Sequence, residues 1–498
     1  MPSLPAELWE HIFTYLECRM PIEKWWYYGE QYDVSSLRDL ASLSLVCRAF
    51  HHIAQPFMYR TIPADGFQNL NKCKALLARS LIENPRLAAY ARNVCLDSSS
   101  SWDVEPVEFE GLLDRGDVGE REKRWLNMTM MESSKLRRNA QLFALMRNLH
   151  VVDVSVFSDA SHIAGMLSGR SDVETIVQAE ANLMSETGYS YKRGKEELRK
   201  NIPSTLTNET LADNALPRLK ELRIRHGDCE DGSISISDIE AVLLHPGLER
   251  LYLLGFDWSS FGLRKARWPL HPNPTLQILD LRDCLVDTQG LRNILERFES
   301  LHTLHIILGD SRRENPSFDM IEDTRDVSLT DIGAVLRKHA RNLVSFELHT
   351  TGYRQCSGVE GRLRSLKEMT SLRHLKIVEH DLRVRRTRYG VSTKYDTLPL
   401  EDVLPAGLET LYLHYDDCYF GPCAPDTHLF EILGRMLRSG KVPELREIKV
   451  ERYLNDSTKE LKPEIEGWKV CMKEEHLWGG PTSSGCMRLV IELTRLDE

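Results

Sequence analysis

The feature that most constrains this chain is one spacing of apolar residues that recurs along the sequence. In each copy an apolar residue is followed by a second three positions later and a third two positions after that, as in Leu219, Leu222 and Ile224. Seven further clear copies begin at Leu248, Leu276, Leu301, Leu343, Leu372, Leu408 and Leu445. Residues two apart point to the same side of a strand, so each copy predicts a short strand with one apolar side. One such strand cannot bury that side alone, so the copies must stack.

The segments between these copies have the apolar spacing of helices. Leu291, Ile294, Leu295 and Phe298 recur as on one helix face, and similar stripes begin at Ile332 and Leu429. This alternation resembles the leucine-rich repeat, although three of the steps between copies are longer than its usual period. The family's Asn or Cys after the last apolar position is matched only by Cys284 among the clear copies. The resemblance therefore implies an irregular solenoid, or horseshoe, in which the longer steps carry loop insertions.

The first residues of the chain have a different pattern. Residues 4–16 read LPAELWEHIFTYL, in which Leu8, Ile12 and Leu16 lie on one helix face. A second apolar stripe covers residues 40–50 and contains the element Leu-Val-Cys-Arg, and a Pro-x-x-Tyr-Arg segment follows it. Together these motifs closely resemble the F-box. The order of an F-box and degenerate repeats resembles the F-box/leucine-rich-repeat proteins that are abundant in fungi.

The resemblance implies that this module binds the Skp adaptor of a cullin–RING ubiquitin ligase. A module of about 40–60 residues is too small to bury all its apolar side chains, which leaves some for a partner. The residues predicted to bind the adaptor are Leu4, Pro5, Glu7, Leu8, Ile12, Leu16, Leu40, Leu43, Val46, Cys47 and Arg48. An aromatic-rich insert between the two helices either packs back on the module or changes the adaptor contact.

The sequence predicts an α/β chain with three parts. Residues 1–62 are predicted to be a three-helix F-box domain with an insert at 18–36. Residues 63–145 are predicted to contain a linker and the first solenoid elements. Residues 146–498 are predicted to be the repeat solenoid, with a polar insertion at 185–214.

The position between the paired apolar residues of each copy is a candidate for binding a target protein. In a horseshoe these side chains point to the concave face. They are Arg223, Tyr252, Asp280, His305, Glu347, Lys376, Tyr412 and Lys449. The alternative is that they form an ordinary exposed polar strand face.

One locally basic segment is a second candidate for binding. It contains Arg383, Arg385, Arg386 and Arg388 in a chain whose net charge is −10. Arginine pairs bidentately with carboxylates and phosphates, so the segment is a candidate loop for an acidic degron. The alternative is a solvated loop.

Composition and missing motifs exclude several classes of function. The acidic balance excludes general affinity for nucleic acid or an anionic membrane. The 11 scattered cysteines indicate free thiols, and neither a signal peptide nor a membrane span is recognisable. We therefore expect a soluble protein of the cytoplasm or nucleus. No nucleotide-binding, metalloprotease or hydrolase motif is present, so no catalytic residue, metal or cofactor is expected.

These observations favour the substrate-recognition subunit of a Skp–cullin–F-box (SCF) ubiquitin ligase, in which the repeats bind a target protein and other subunits transfer ubiquitin. A leucine-rich-repeat scaffold that uses the F-box for another protein interaction is the alternative. An enzyme carried by the repeat region is a third reading, which perturbed ionisable groups in a deep pocket would support.

Overall fold

The computed structural model divides the chain into two compact units, which are described separately. The first holds Met1–Asp228, Ile236–Leu251 and Ala266–His271, and the second holds Cys229–Ser235, Tyr252–Lys265 and Pro272–Glu498. The structure describes residues 4–18, 20, 35–63, 80–81, 84–96, 146–156, 216–226, 233–243, 245–263, 273–309, 327–350, 359–383, 386–387, 390–391, 398–414, 427–453, 465–476 and 487–496.

Three helices open the first unit. They are α1 (Ala6–Thr14), α2 (Ser35–Ser44) and α3 (Arg48–Arg60). Their buried core consists of Phe13, Leu40, Ala54 and Phe57. The rings of Phe13 and Phe57 meet edge to face with centroids 6.4 Å apart, which joins α1 to α3. The thiol of Cys47 accepts a hydrogen bond from the Phe50 amide at 3.5 Å and so caps the start of α3.

The rest of the first unit contains four parallel strands in sequence order. They are β1 (Thr61–Pro63), β2 (Asn93–Leu96), β3 (Val151–Val156) and β4 (Glu221–His226), and each pairs with the next. Helix α4 (Pro85–Tyr90) precedes β2, and a 3₁₀ turn (Ile236–Ile239) leads into the short helix α5 (Glu240–Leu243). Val152, Leu222 and Ile224 are fully buried, as expected for the apolar side of stacked strands.

The second unit contains a longer parallel ladder. Strands β8 (Ile278–Cys284), β9 (Thr303–Leu308), β11 (Ser345–His349), β13 (His374–Val378), β16 (Thr410–His414) and β17 (Glu447–Tyr453) are parallel neighbours in that order. After β17 the ladder becomes antiparallel, because β19 (Met487–Arg495) pairs with β17 and β18 (Trp468–His476) pairs with β19. This final antiparallel hairpin was not expected from the sequence.

The remaining strands are shorter. Strand β6 (Arg250–Leu254) contains the second clear copy of the apolar repeat. The two-residue strands are β5 (Ile234–Ser235), β7 (Phe256–Asp257), β10 (Val327–Ser328), β12 (Val359–Glu360), β14 (Arg386–Thr387) and β15 (Gly390–Val391).

Six helices are described in the second unit, most of them between its long strands. They are α6 (Ser260–Leu263), α7 (Thr288–Arg297), α8 (Leu329–His339), α9 (Glu379–Arg383), α10 (Leu400–Val403) and α11 (Thr427–Arg438). The predicted stripe of α7 is correct, because Leu291 and Ile294 are buried. Helix α8 is capped by the Ser328 hydroxyl, which accepts from the Asp331 amide at 3.2 Å.

The predicted mixed α/β class is confirmed, including helices over the region that resembles the F-box. A leucine-rich-repeat horseshoe stays a prediction. Most of the predicted insert at 18–36 and all of the polar insertion at 185–214 lie outside the described residues. In the part of the chain that the structure describes, no helix is long and apolar enough to cross a membrane.

Candidate functional site

A row of polar side chains crosses the parallel strands of the second unit. Backbone register places the six residues beside one another from β8 to β17. We call them the polar row: Asp280, His305, Glu347, Lys376, Tyr412 and Lys449. They are six of the eight residues proposed from the sequence to bind a target. Their alignment follows from the repeat, because each lies between the two buried apolar residues of its strand.

Glu347 is the most connected acid of the polar row, although it is only 3% exposed. The guanidinium of Arg282 donates to both of its carboxylate oxygens, at 3.3 and 3.2 Å, and the Lys376 ammonium lies 2.9 Å away. Burial raises the pKa of Glu347, but the adjacent His414, Arg282 and Lys376 outweigh it and hold the pKa well below its ordinary value. The carboxylate is therefore ionised at neutral pH.

Arg282 also connects Glu347 to the acid at the start of the polar row. Its guanidinium donates to both carboxylate oxygens of Asp280, and His305 lies 3.6 Å from the same carboxylate. Burial raises the pKa of Asp280, but His305 and Arg282 together lower it by more than burial raises it, so the net shift is downward. One buried arginine thus pairs with two buried carboxylates, and Lys376 supplies a second positive charge at Glu347.

Two histidines lie on the same strand face, one row further along β11 and β16. The rings of His349 and His414 have centroids 4.3 Å apart. His414 Nδ1 lies 2.8 Å from the Glu451 carboxylate, and the Tyr412 hydroxyl donates to the same carboxylate. Burial, together with the adjacent His414, lowers the pKa of His349 to about 3. His349 is consequently neutral at physiological pH.

Tyr412 separates the two lysines of the polar row. The Lys376 ammonium lies 4.9 Å from the centroid of the Tyr412 ring, and the Lys449 ammonium lies 5.3 Å from it. Both distances are within the range of cation–π attraction. Lys449 also lies 3.6 Å from Glu492 of β19, which Lys473 contacts at 2.6 Å.

The other two residues proposed for target binding are buried. Arg223 of β4 is 2% exposed and lies 2.6 Å from Glu221. Tyr252 of β6 is 9% exposed. Arg223 and Glu221 therefore form a buried ion pair and are not part of a solvated strand face.

The arginine-rich segment proposed for an acidic degron stays a prediction. The side chains of Arg383, Arg385, Arg386 and Arg388 lie outside the described residues. Among the residues that the structure describes, no group of three His, Cys, Asp or Glu side chains could hold a metal ion.

The three-helix domain exposes a set of large apolar side chains. Leu8 and Ile12 lie one turn apart on α1, Leu4 and Tyr15 lie just before and just after that helix, and Leu45 and Val46 lie between α2 and α3. Leu8 is 48% exposed, Val46 is 67% exposed and Leu45 is 87% exposed. Exposing such a group of apolar side chains to water is unfavourable. Exposed apolar groups of this kind are typical of protein-interaction surfaces.

Comparison with known families bears on this helical domain. The family model described as F-box-like matches residues 1–62, which contain all three helices and the first two residues of β1. Residues 1–62 form an F-box-like domain. F-box domains generally bind Skp-type adaptor proteins. No curated protein matches the chain significantly.

Burial divides the residues predicted to bind the adaptor into two groups. In the F-box-like domain Leu40 is fully buried, and Leu16 and Leu43 pack against the same core, so these three hold the helices together. The remaining predicted residues are exposed: Leu4, Pro5, Glu7, Leu8, Ile12, Val46, Cys47 and Arg48. The exposed group is therefore the one available for direct contact with an adaptor, and that contact stays a prediction.

Several prominent residues were missed in the sequence. Tyr15 and Leu45 are exposed, and both are adjacent to residues that were predicted. Arg282, His349, His414 and Glu451 lie two positions after residues of the polar row. The period of two along a strand is the signal that would have found them, because positions i and i+2 share one face.

Proposed function

We propose that this chain is the substrate-recognition subunit of an SCF-type ubiquitin ligase. In this proposal the F-box-like domain binds a Skp-type adaptor, the strand-and-helix region binds a target protein, and other subunits transfer ubiquitin. The match at residues 1–62 is the observation that carries the proposal.

The exposed surface of the F-box-like domain supports adaptor binding. Phe13, Leu40 and Phe57 are part of the buried core of this domain, whereas Leu8 in α1 and Val46 after α2 are exposed to solvent. Burying such side chains contributes about 25 cal/mol per Å² of apolar surface, which favours association with the apolar face of a partner.

The parallel ladder supports the proposal of a leucine-rich-repeat-like solenoid. Its strands run in sequence order with helices between most of them, and each strand buries the two apolar residues that the repeat predicts, as Leu411 and Leu413 do in β16. A solenoid presents one strand face to a partner, and in this chain that face carries the polar row.

The proposed chemistry is proximity. Holding a target's lysine near a charged conjugating enzyme raises its effective concentration, so the receptor needs no nucleophile of its own. We therefore propose a non-catalytic receptor.

Co-expression with a Skp-type adaptor followed by size-exclusion chromatography tests the proposal. The wild-type chain is expected to co-elute with the adaptor, and a Leu8→Asp/Val46→Asp variant is expected to elute alone. Both residues are exposed, so the change should spare the fold, which circular dichroism verifies. Leu496→Asp is the matched control, because Leu496 is 53% exposed at the end of the described chain and should not alter co-elution. A folded wild-type chain that elutes alone would contradict the proposal.

A scaffold that binds an adaptor outside a ligase is the second candidate. The exposed F-box-like surface favours it equally, because it specifies an adaptor but not a cullin. Precipitation of the chain with adaptor and cullin present separates the two: the receptor retains the cullin, whereas the scaffold retains the adaptor alone.

A further inference from the structure

The lysine–tyrosine–lysine arrangement lies at the β17 end of the polar row. Its lysines are partly in solvent, since Lys376 is 34% exposed and Lys449 is 29% exposed. Two nearby acids are buried, because the side chains of Glu347 and Glu451 are 4% and 9% exposed, whereas Glu492 beside Lys449 is 24% exposed. At Lys376 the solvent therefore meets the ammonium group, while the carboxylate that pairs with it is buried.

One neighbouring acid helps to fix the position of each ammonium group. Lys376 is held by Glu347 at 2.9 Å, and Lys449 lies near Glu492 at 3.6 Å. Within the described part of the chain, each of the two ammonium groups is paired with one carboxylate. An ammonium has three N–H donors, so each has further donors to offer a ligand. Lysines already ordered by the protein lose less side-chain entropy when a ligand binds.

The Tyr412 ring sets the spacing between the two positive groups. Its strand, β16, lies between the strands of Lys376 and Lys449, and both ammonium groups lie beside the ring. In an extended peptide, side chains at alternate positions lie about 6.6–6.8 Å apart on one side. Two acidic side chains at such positions could each reach one lysine, because glutamate and phosphoserine side chains have several rotatable bonds.

Exposed acids limit where an anionic ligand would bind. Glu447 is exposed two positions before Lys449 on β17, and Glu492 is 24% exposed beside Lys449. Both would repel a negative group placed over them, so the favourable position is at the centre, next to Tyr412. Tyrosine is one of the residues that most often dominate binding energies in protein interfaces.

We propose that Lys376, Tyr412 and Lys449 form a binding site for an extended acidic protein segment with carboxylate or phosphate groups at alternate positions. The inference rests on the proposed function in that it identifies the class of target segment that the receptor would hold. Charge-assisted hydrogen bonds from the two ammonium groups hold the acidic side chains, and the aromatic ring contacts the segment between them.

Fluorescence anisotropy of labelled peptides on the full-length chain tests this site. The probes are a peptide of alternating Glu and Ser, the same peptide with Gln for Glu, and a version with phosphoserine for Glu. The wild-type chain is expected to bind both acidic peptides at least about tenfold more tightly than the Gln peptide. The difference between the Glu and phosphoserine peptides identifies which anion fits better.

Two double variants separate a specific site from general charge. Lys376→Gln/Lys449→Gln is expected to weaken binding of the acidic peptides by about tenfold or more. Lys367→Gln/Lys441→Gln removes the same charge from two exposed lysines that pair with Asp402, and it should change binding less than about twofold. Lys376→Arg/Lys449→Arg keeps both charges and is expected to retain binding. Thermal unfolding of every variant checks that the fold is intact.

Four results would overturn the inference. They are equal binding of the Glu and Gln peptides, equal losses in the two Lys→Gln double variants, failure of the two-arginine variant to bind, and tighter binding of a single-stranded oligonucleotide than of either acidic peptide. Co-elution with the adaptor is measured on the same samples. Adaptor binding without peptide binding would contradict this site alone, whereas peptide binding without adaptor binding would contradict the proposed ligase function and leave the site standing.

Discussion

At the scale of single residues, Glu347 is the acid of the polar row with the most ion-pair partners, which are Arg282, His305, Lys376 and His414. Changing Glu347 to Gln removes its charge while keeping its size. Arg282, which is buried, and Lys376, which is partly exposed, then each lose one charged partner. Because removing one partner from a buried ion pair leaves an uncompensated charge, we expect unfolding to become easier by about 2 kcal/mol. Arg282 keeps Asp280, which limits the loss.

Urea unfolding followed by circular dichroism measures this effect. The control is Glu409→Gln, because Glu409 forms an exposed pair with Arg373 at 3.6 Å. An exposed pair contributes under about 1 kcal/mol, so the control should change the transition little. Equal shifts for the two variants would show that the buried network does not stabilise the fold.

His349 gives the strand face a predictable dependence on pH. Its pKa is about 3 in the folded chain, against about 6.5 in an unfolded one. The unfolded state therefore binds the additional proton between these values, and stability decreases as the pH falls below about 6.5. Carboxylates contribute little between pH 7 and pH 5, because most are ionised in both states.

We expect the His349→Phe variant to lose about 1–2 kcal/mol less stability than the wild type when the pH is lowered from 7 to 5. Phe keeps an aromatic ring beside His414 but cannot take up a proton. Thermal unfolding at both pH values measures the difference. His374→Gln is the control, because His374 lies exposed on β13. If wild type and His349→Phe respond equally to pH, the buried histidine is not the cause.

Part of this residue-level arrangement was predictable. The repeat frame placed Asp280, Glu347 and Lys376 in one row, because strand periodicity and parallel pairing leave no other arrangement. The frame does not give burial. Arg282 covers Glu347 because a long side chain reaches across neighbouring strands, and that contact depends on packing between residues distant in sequence.

At the scale of elements, α7 depends on a glycine for its close packing. A methyl group at Gly290 would collide with the backbone carbonyl of Trp258, which precedes α6. Alanine normally favours a helix over glycine by about 1 kcal/mol. Gly290→Ala should nevertheless destabilise the second unit by about 1–3 kcal/mol, because backbone atoms cannot move aside cheaply.

Gly434→Ala in α11 is the matched comparison. In the part of the chain that the structure describes, the atoms nearest to a methyl group there belong to the end of the flexible Arg438 side chain, at 3.2 Å, so the helix-propensity gain should remain. Thermal unfolding of the two variants is expected to shift in opposite directions. A stabilising Gly290→Ala change would show that α7 can move away from Trp258.

The elements also show where sequence patterns lose their power. The helical stripe of α7 was predicted because its apolar residues face one core. The hairpin of β18 and β19 was not, because neither strand carries the spacing of the repeat. Its pairing with β17 is fixed by contacts between distant segments, such as Lys449 beside Glu492. In the F-box-like domain, likewise, the motif located the helices, whereas the exposure of Leu45 depends on how they pack.

At the scale of the whole molecule, the two proposed binding surfaces belong to different compact units. The exposed apolar residues of the F-box-like domain are in the first unit, and Lys376, Tyr412 and Lys449 are in the second. One ligand changes the affinity for another only if it binds two states of the protein differently. The adaptor is proposed to contact the first unit alone, so it supplies no such difference at the polar row.

We therefore expect saturating adaptor to change the affinity for the Glu–Ser peptide by less than about twofold. Anisotropy titrations with and without adaptor measure this ratio. Leu8→Asp/Val46→Asp should bind the peptide as the wild type does, and Lys376→Gln/Lys449→Gln should co-elute with adaptor as the wild type does. A change of more than about fivefold would correspond to a coupling of about 1 kcal/mol and would contradict independent surfaces. If the two surfaces bind independently, the chain recruits a target by holding the adaptor and the target at the same time. The effective concentration of the target at the ligase then depends on the connection between the two binding surfaces and not on their affinities changing one another.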